Sequence, residues 1–219
     1  MPRFNPSEAA IRQGALTLFA MVLVLALGAF SWQRLGRAED PEQWSEEKTR
    51  NETDLIRTRL RKTIEQELAE DPYAQKVFGE LLRQAIAEAE AMFDHPLKQY
   101  ALFKDFEDQL AARKTPGVPA ALDENPHAKA YFGAIRLVLG DQACDAMDEA
   151  AQAKLIEHAV AIDGVVRDAV AEHSLNPQNI EAAIRKGLLP MLFGALGLES
   201  ARQVVEQVIQ ITRIGLSRS

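Results

Sequence analysis

The chain has 219 residues, 47% of them hydrophobic, and a formal net charge of -7 at pH 7; that length suits one domain of ordinary size with a short appendage. Residues 1–42 carry equal numbers of basic and acidic groups, so the negative charge falls on 43–219. This excludes strong non-specific nucleic-acid binding, which rests on Lys and Arg neutralising phosphates. A single cysteine, Cys144, excludes an internal disulfide and any metal site built on several thiolates.

The first element in chain order is the uncharged, apolar run from Gly14 to Trp32. At about 1.5 Å per residue it just reaches across a hydrocarbon core of roughly 30 Å. A signal peptide has a shorter apolar region, about 7–15 residues, followed by a small-x-small cleavage site. Here the run ends in Phe30-Ser31-Trp32-Gln33-Arg34, and an interfacial Trp with a basic neighbour reads as an anchor. The expectation is an uncleaved, single-pass inner-membrane anchor over 1–36 and a charged linker over 37–51. A helical domain over 52–219 follows; Arg34, Arg37, Lys48 and Arg50 after the span, against Arg3 and Arg12 before it, weigh toward the cytoplasm, and the periplasm stays open as the other side.

Beyond the linker, every long segment has helical period. Asp71-Pro72, Asn125-Pro126 and Asn176-Pro177 share one chemistry. The Asp or Asn accepts from an orphan N–H of the first turn, and the Pro supplies a helical φ where its missing N–H is harmless. From Pro72 to Phe93 the apolar set Val77, Phe78, Leu81, Leu82, Ala85, Ile86, Ala89, Met92 and Phe93 follows i, i+3, i+4. Leu97–Leu110 is a shorter helix, Lys114 to Pro119 a loop, and Pro126–Leu139 a helix stopped by Gly140. Ala151–Glu172 aligns Leu155, Ala159, Ile162, Val166 and Ala169. Pro177–Leu196 is expected to bend near Pro190, and Gly197 separates a last helix with Leu198, Ala201, Val205, Val208 and Ile211 on one face. No stretch alternates long enough for a strand. The fold class is all-α: one N-terminal transmembrane helix, then a bundle of six or seven helices with Phe103, Phe132, Leu189 and Phe193 in its core.

Catalytic chemistry is not written in this pattern. His95, His127, His158 and His173 form no His-x-x-x-His pair, and His158 and His173 lie too far apart on one helix to share a metal. Glu88, Glu90, Asp105, Glu107 and Asp108 sit among exposed basic residues, as on a solvated helix face, rather than in the buried settings that tune acid/base carboxylates. Asp40 with Glu46-Glu47-Lys48 has the residue types of a nuclease metal set but stands in a linker. There is no phosphate-binding Gly-rich loop and no nucleophile elbow. Cys144 lacks an activating neighbour. Arg185, Lys186 and Arg213 are the best basic positions for a weak nucleic-acid contact, beside a default role near helix C-termini. No cofactor, metal or catalytic residue is expected.

Two parts of the chain resemble known families. Residues 4–41, from Phe4-Asn-Pro-Ser-Glu8 through the apolar run to Arg37-Ala-Glu-Asp-Pro41, resemble the amino terminus of resistance-nodulation-division efflux permeases. The porter domain and later spans of that family are absent, so no transport function is implied. Residues 53–219 resemble the C-terminal helical region of the motor (restriction) subunit of type I restriction enzymes. The segments that carry this are Ala69-Glu-Asp-Pro-Tyr-Ala-Gln75, Phe93-Asp-His-Pro-Leu-Lys-Gln-Tyr-Ala-Leu-Phe103, Asn125-Pro-His-Ala-Lys-Ala-Tyr-Phe132, Leu175-Asn-Pro-Gln-Asn-Ile-Glu-Ala-Ala-Ile-Arg-Lys186 and Ile209-Gln-Ile-Thr-Arg-Ile-Gly-Leu216. The resemblance implies a non-catalytic assembly region that docks a motor onto methyltransferase and specificity subunits, here fused to a membrane anchor. It implies no nuclease or ATPase activity, since those motifs are missing. The alternatives are a single-pass membrane adaptor and an efflux-permease remnant without transport activity.

Overall fold

Asp-Pro and Asn-Pro steps set the helix starts. In the computed structural model, which describes residues 40–173 and 176–218, Asp71, Asn125 and Asn176 each turn a side-chain oxygen onto the first turn of the helix that follows. They accept from Ala74 N at 2.9 Å, Ala128 N at 3.0 Å and Gln178 N at 3.1 Å. Gly140 and Gly197 end helices at φ of 87° and 78°, a region L side chains avoid.

The chain divides into two units, Met1–Ser45 and Glu46–Ser219. Of the first, the described residues form one 3-10 turn, Pro41–Gln43, capped by Asp40. Among its described residues the second holds eight α-helices: α1 (Glu46–Lys62), α2 (Pro72–Ala91), α3 (Pro96–Ala111), α4 (Pro126–Leu139), α5 (Asp141–Asp145), α6 (Glu149–His173), α7 (Pro177–Leu196) and α8 (Leu198–Arg218). No strand occurs among the described residues, as the helical periodicity requires.

Helices α1, α2 and α3 pack on one another around Ile56, Leu60, Phe78, Leu82, Phe103 and Phe106. Phe78 and Phe106 meet edge to face at 6.3 Å, a favoured aromatic geometry. The last turn of α1 widens to π geometry over Thr63–Glu67. Two of the carbonyls there, those of Ile64 and Glu65, accept from Gln75 Nε2 at 3.1 and 3.2 Å.

A second core closes as a ring, α4 on α6, α6 on α7, α7 on α8 and α8 on α4. Ile135, Ile162, Ile184, Leu188, Leu192 and Val208 are fully buried in it. Helix α4 is central: every residue from Ala128 to Arg136 is buried, because α2 covers the side that α6 and α8 leave open.

Several expectations need correction. Among the described residues no helix is long and apolar enough to cross a membrane. The single-pass inner-membrane expectation thus has no helix to carry it among the described residues, whereas the all-α expectation holds there. The physical reason is that the long helices each confine apolar residues to one face; α6 carries Glu157, Arg167, Asp168 and Glu172, and α7 carries Glu181, Arg185 and Lys186. The Gly14 to Trp32 run lies outside the described residues, and so do positions 4–39 of the efflux-permease-like segment. The charged linker expected over 37–51 becomes helix at Glu46. Glu46 and Glu47 suit the first turn's dipole, and Arg50 pairs with Glu46 at 2.8 Å. The helix count rises to eight because residues after Gly140 form the one-turn α5. Phe103 and Phe132 are core and Leu189 packs against it, whereas Phe193 is 55% exposed. The buried stripe of α7 is Ile180, Ile184, Leu188 and Leu192, and one residue further on is about 100° around the helix.

Candidate functional site

The first polar cluster sits where α2 meets α4. Gly133 permits the approach: a Cβ there would lie 2.6 Å from Tyr73 Cβ. Beside it Arg136, only 6% exposed, spreads its guanidinium over four hydrogen bonds. Nε and Nη2 donate to Asp141 Oδ1 at 3.2 and 3.1 Å, Nη2 to Asp145 Oδ1 at 2.8 Å, and Nη1 to the Gly117 carbonyl at 2.9 Å. Its carbon lies 5.5 Å from the Tyr73 ring centre, and Tyr73 OH donates to Asp141 Oδ1 at 2.8 Å. Gly117 takes φ of 78°, and a Cβ there would meet Arg136 Cζ at 2.9 Å.

Burial and the Asp141 carboxylate push Tyr73 up to about 12. Burial also works against ionising Asp141, but the Tyr73 hydroxyl and Arg136 outweigh it and hold the carboxyl below its ordinary value. The bonds of Arg136 and Tyr73 tie the Gly117 loop and α5 to α2 and α4, so this is a structural joint. Cys144 lies buried nearby, and burial raises its thiol, the opposite of what a nucleophile needs.

The second cluster lines a cleft of about 660 Å³ between the start of α4, the middle of α6 and the end of α8. Its walls are Val166, Val170, Ile211 and Leu216, and its polar groups are Glu70, Asn125, His127, Tyr131, Asp163, Arg167 and Thr212. Asp163 is 8% exposed. Its Oδ2 accepts from Asn125 Nδ2 at 3.1 Å and Arg167 Nη2 at 2.9 Å. Thus Asn125 caps α4 with its oxygen and grips α6 with its nitrogen. Burial pushes the Tyr131 hydroxyl up to about 12, with the Asp163 and Glu70 charges adding to that and the Thr212 hydroxyl opposing it. The cleft therefore has apolar walls and two carboxylates, each paired with an arginine, the composition of a binding site more than of a reaction centre.

Arg185 and Arg213 are cross-links between α7 and α8. Arg213 forks onto Glu181 at 2.6 and 2.8 Å, and Arg185 onto Glu206 at 3.1 and 3.2 Å. Glu181 also reaches Arg185 at 3.5 Å. Lys186 is exposed on the same helix. The structure thus brings Arg185 and Arg213 together through a shared carboxylate, and it places neither in the cleft.

His127 is in the cleft, while His95 precedes α3 and His158 and His173 lie on α6. Among the described residues no His, Cys, Asp and Glu group could hold a metal ion. Sequence reasoning missed Arg136 and Asp163. Each carries the same signal, a lone charge in phase with an apolar stripe: Phe132-Gly-Ala-Ile-Arg136 and Ala159 to Val166. Such a charge must find a partner when the stripe is buried.

No family model, no curated protein and no solved structure matches the chain.

Proposed function

We propose that the chain is a non-catalytic assembly domain of the kind found at the C-terminal end of type I restriction motor subunits, and that it docks onto methyltransferase and specificity subunits. One observation supports this most. Three of the five segments that carry the resemblance converge on one cleft: Glu70 from the first, Asn125, His127 and Tyr131 from the third, and Ile211, Thr212, Gly215 and Leu216 from the last. A surface assembled from such distant positions, with apolar walls and few polar groups, suits recognition. Direct DNA contact at Arg185, Lys186 and Arg213 adds little, because both guanidinium groups face carboxylates and the whole chain is net negative.

Co-expression of the full chain with the methyltransferase and specificity subunits tests this. Two-step affinity purification, tagging first one side and then the other, should recover a stoichiometric complex without ATPase or nuclease activity in the isolated chain. Absence of a complex at micromolar concentration, or nucleotide turnover by the chain alone, would overturn the proposal.

A further inference from the structure

We propose that the cleft between α4, α6 and α8 receives a lysine side chain presented by a partner subunit, its alkyl stem lying along Val166, Val170 and Ile211 and its ammonium meeting Asp163. The partner's identity rests on the assembly reading, whereas the chemistry rests on the cleft alone.

Asp163 uses only one of its oxygens. Oδ2 takes both the Asn125 and the Arg167 donors, so Oδ1 has no donor among the described residues. It belongs to a residue that lines the cleft and is 8% exposed. Glu70 likewise spends Oε1 on Arg218 at 3.4 Å, while Oε2 lies 3.8 Å from where a Gly215 Cβ would stand. An anionic ligand finds there two carboxylates whose partner cations, Arg167 and Arg218, are already engaged, and it brings no donor for Oδ1. A purely apolar ligand would shield Oδ1 without supplying a donor, which is costly.

A cation on an apolar stem satisfies both halves of the site. The single free oxygen of Asp163 selects between the two natural cations. A guanidinium fork gains most from two oxygens of one carboxylate, whereas an ammonium is a compact point charge with three donors on a four-carbon stem. Arg167 does not close the site, because its side chain is 72% exposed, and an ion pair of that kind is weakly held.

The test uses the full chain and n-hexylamine, 1-hexanol, hexanoate and hexylguanidine as probes, with methyl NMR of Val166, Val170 and Ile211 as the readout. The ammonium probe should bind at about 1–10 mM, the range open to so small a ligand. It should bind at least about tenfold more tightly than hexanol, as a charge-assisted hydrogen bond allows, and more tightly than hexylguanidine. Asp163→Asn should remove that preference. Arg167→Ala should strengthen ammonium binding about two- to fivefold by removing the internal competitor. Ala171→Trp, at an exposed cleft position on α6, should block all four probes. If Asp163→Asn fails to fold, Arg167→Ala and Ala171→Trp, both at exposed positions, carry the test.

Hexanol, hexanoate or hexylguanidine binding as well as hexylamine would overturn the inference, and so would unmoved cleft methyls. In the complex with methyltransferase and specificity subunits, Ala171→Trp should weaken docking about tenfold. Wild-type docking that Ala171→Trp leaves unchanged sinks this inference and spares the assembly reading. Absent wild-type docking sinks the assembly reading, and the probe titration then decides the cleft by itself.

Discussion

Arg136→Ala is the perturbation whose effect follows most directly from geometry. The side chain is 6% exposed and makes four hydrogen bonds, three of them to Asp141 and Asp145. Those two carboxylates are 43% and 65% exposed, so water recovers most of their solvation, and we assign their loss about 1–2 kcal/mol rather than a buried-pair value. The Gly117 carbonyl loses its donor, about 1 kcal/mol. Loss of the packed stem against Tyr73 adds about 1 kcal/mol. The sum is about 3–4 kcal/mol, a large part of the 5–15 kcal/mol typical of a domain. Urea unfolding of the full chain followed by far-ultraviolet circular dichroism measures it. Arg136→Lys should recover less than half, because an ammonium cannot span Gly117, Asp141 and Asp145 together. A loss below 1 kcal/mol for Ala, or wild-type stability for Lys, would refute the reasoning.

Other substitutions test the packing and the charges by the same denaturation assay. Gly133→Ala should destabilise by about 2–3 kcal/mol despite its better helix propensity, because its Cβ would stand 2.6 Å from Tyr73 Cβ. Gly164→Ala meets nothing within 4 Å and should gain about 0.5–1 kcal/mol. Leu192→Ala should cost about 2–5 kcal/mol, while Phe193→Ala, its neighbour on the exposed face, should change stability by less than about 0.5 kcal/mol. Asp71 has its carboxyl raised, by burial first, against the opposing Ala74 N–H and Lys129 charge. A raised group favours folding below its unfolded value and loses that contribution as pH rises through the folded one. Asp71→Asn keeps the cap and removes the charge, so its stability relative to wild type should increase from pH 3 to pH 7; a fall over that range would contradict the assignment.

The helix starts were the most legible part of the sequence. An Asn or Asp before Pro has a local physical consequence, and the steps at Asp71, Asn125 and Asn176 each open an α-helix whose first turn they cap. Gly140 and Gly197 were legible as stops for the same reason. Phe193 was misread because it directly follows Leu192 in an apolar stretch of α7, and only packing shows that it falls beside the buried stripe. The start of α1 was missed because its residues from Glu46 to Arg50 are mostly charged, and their helix is stabilised by a partner, α3, far away in sequence. The cleft was invisible to local pattern. Glu70, Tyr131, Asp163 and Thr212 lie in four separate helical or turn segments, and only the ring of α4, α6, α7 and α8 sets them around one space. The cross-helix ion pairs of Arg185 and Arg213 were hidden because Glu206 and Glu181 stand 21 and 32 residues away from them.

Competition measures the central claim most directly. A domain that docks where a restriction motor docks, and performs no reaction there, must displace that motor. Purified full chain titrated into a reconstituted type I enzyme with its cognate methyltransferase and specificity subunits should suppress ATP-dependent DNA cleavage in proportion to its concentration. Added motor subunit should restore it. Cleavage unchanged by a large molar excess of the chain would contradict the account.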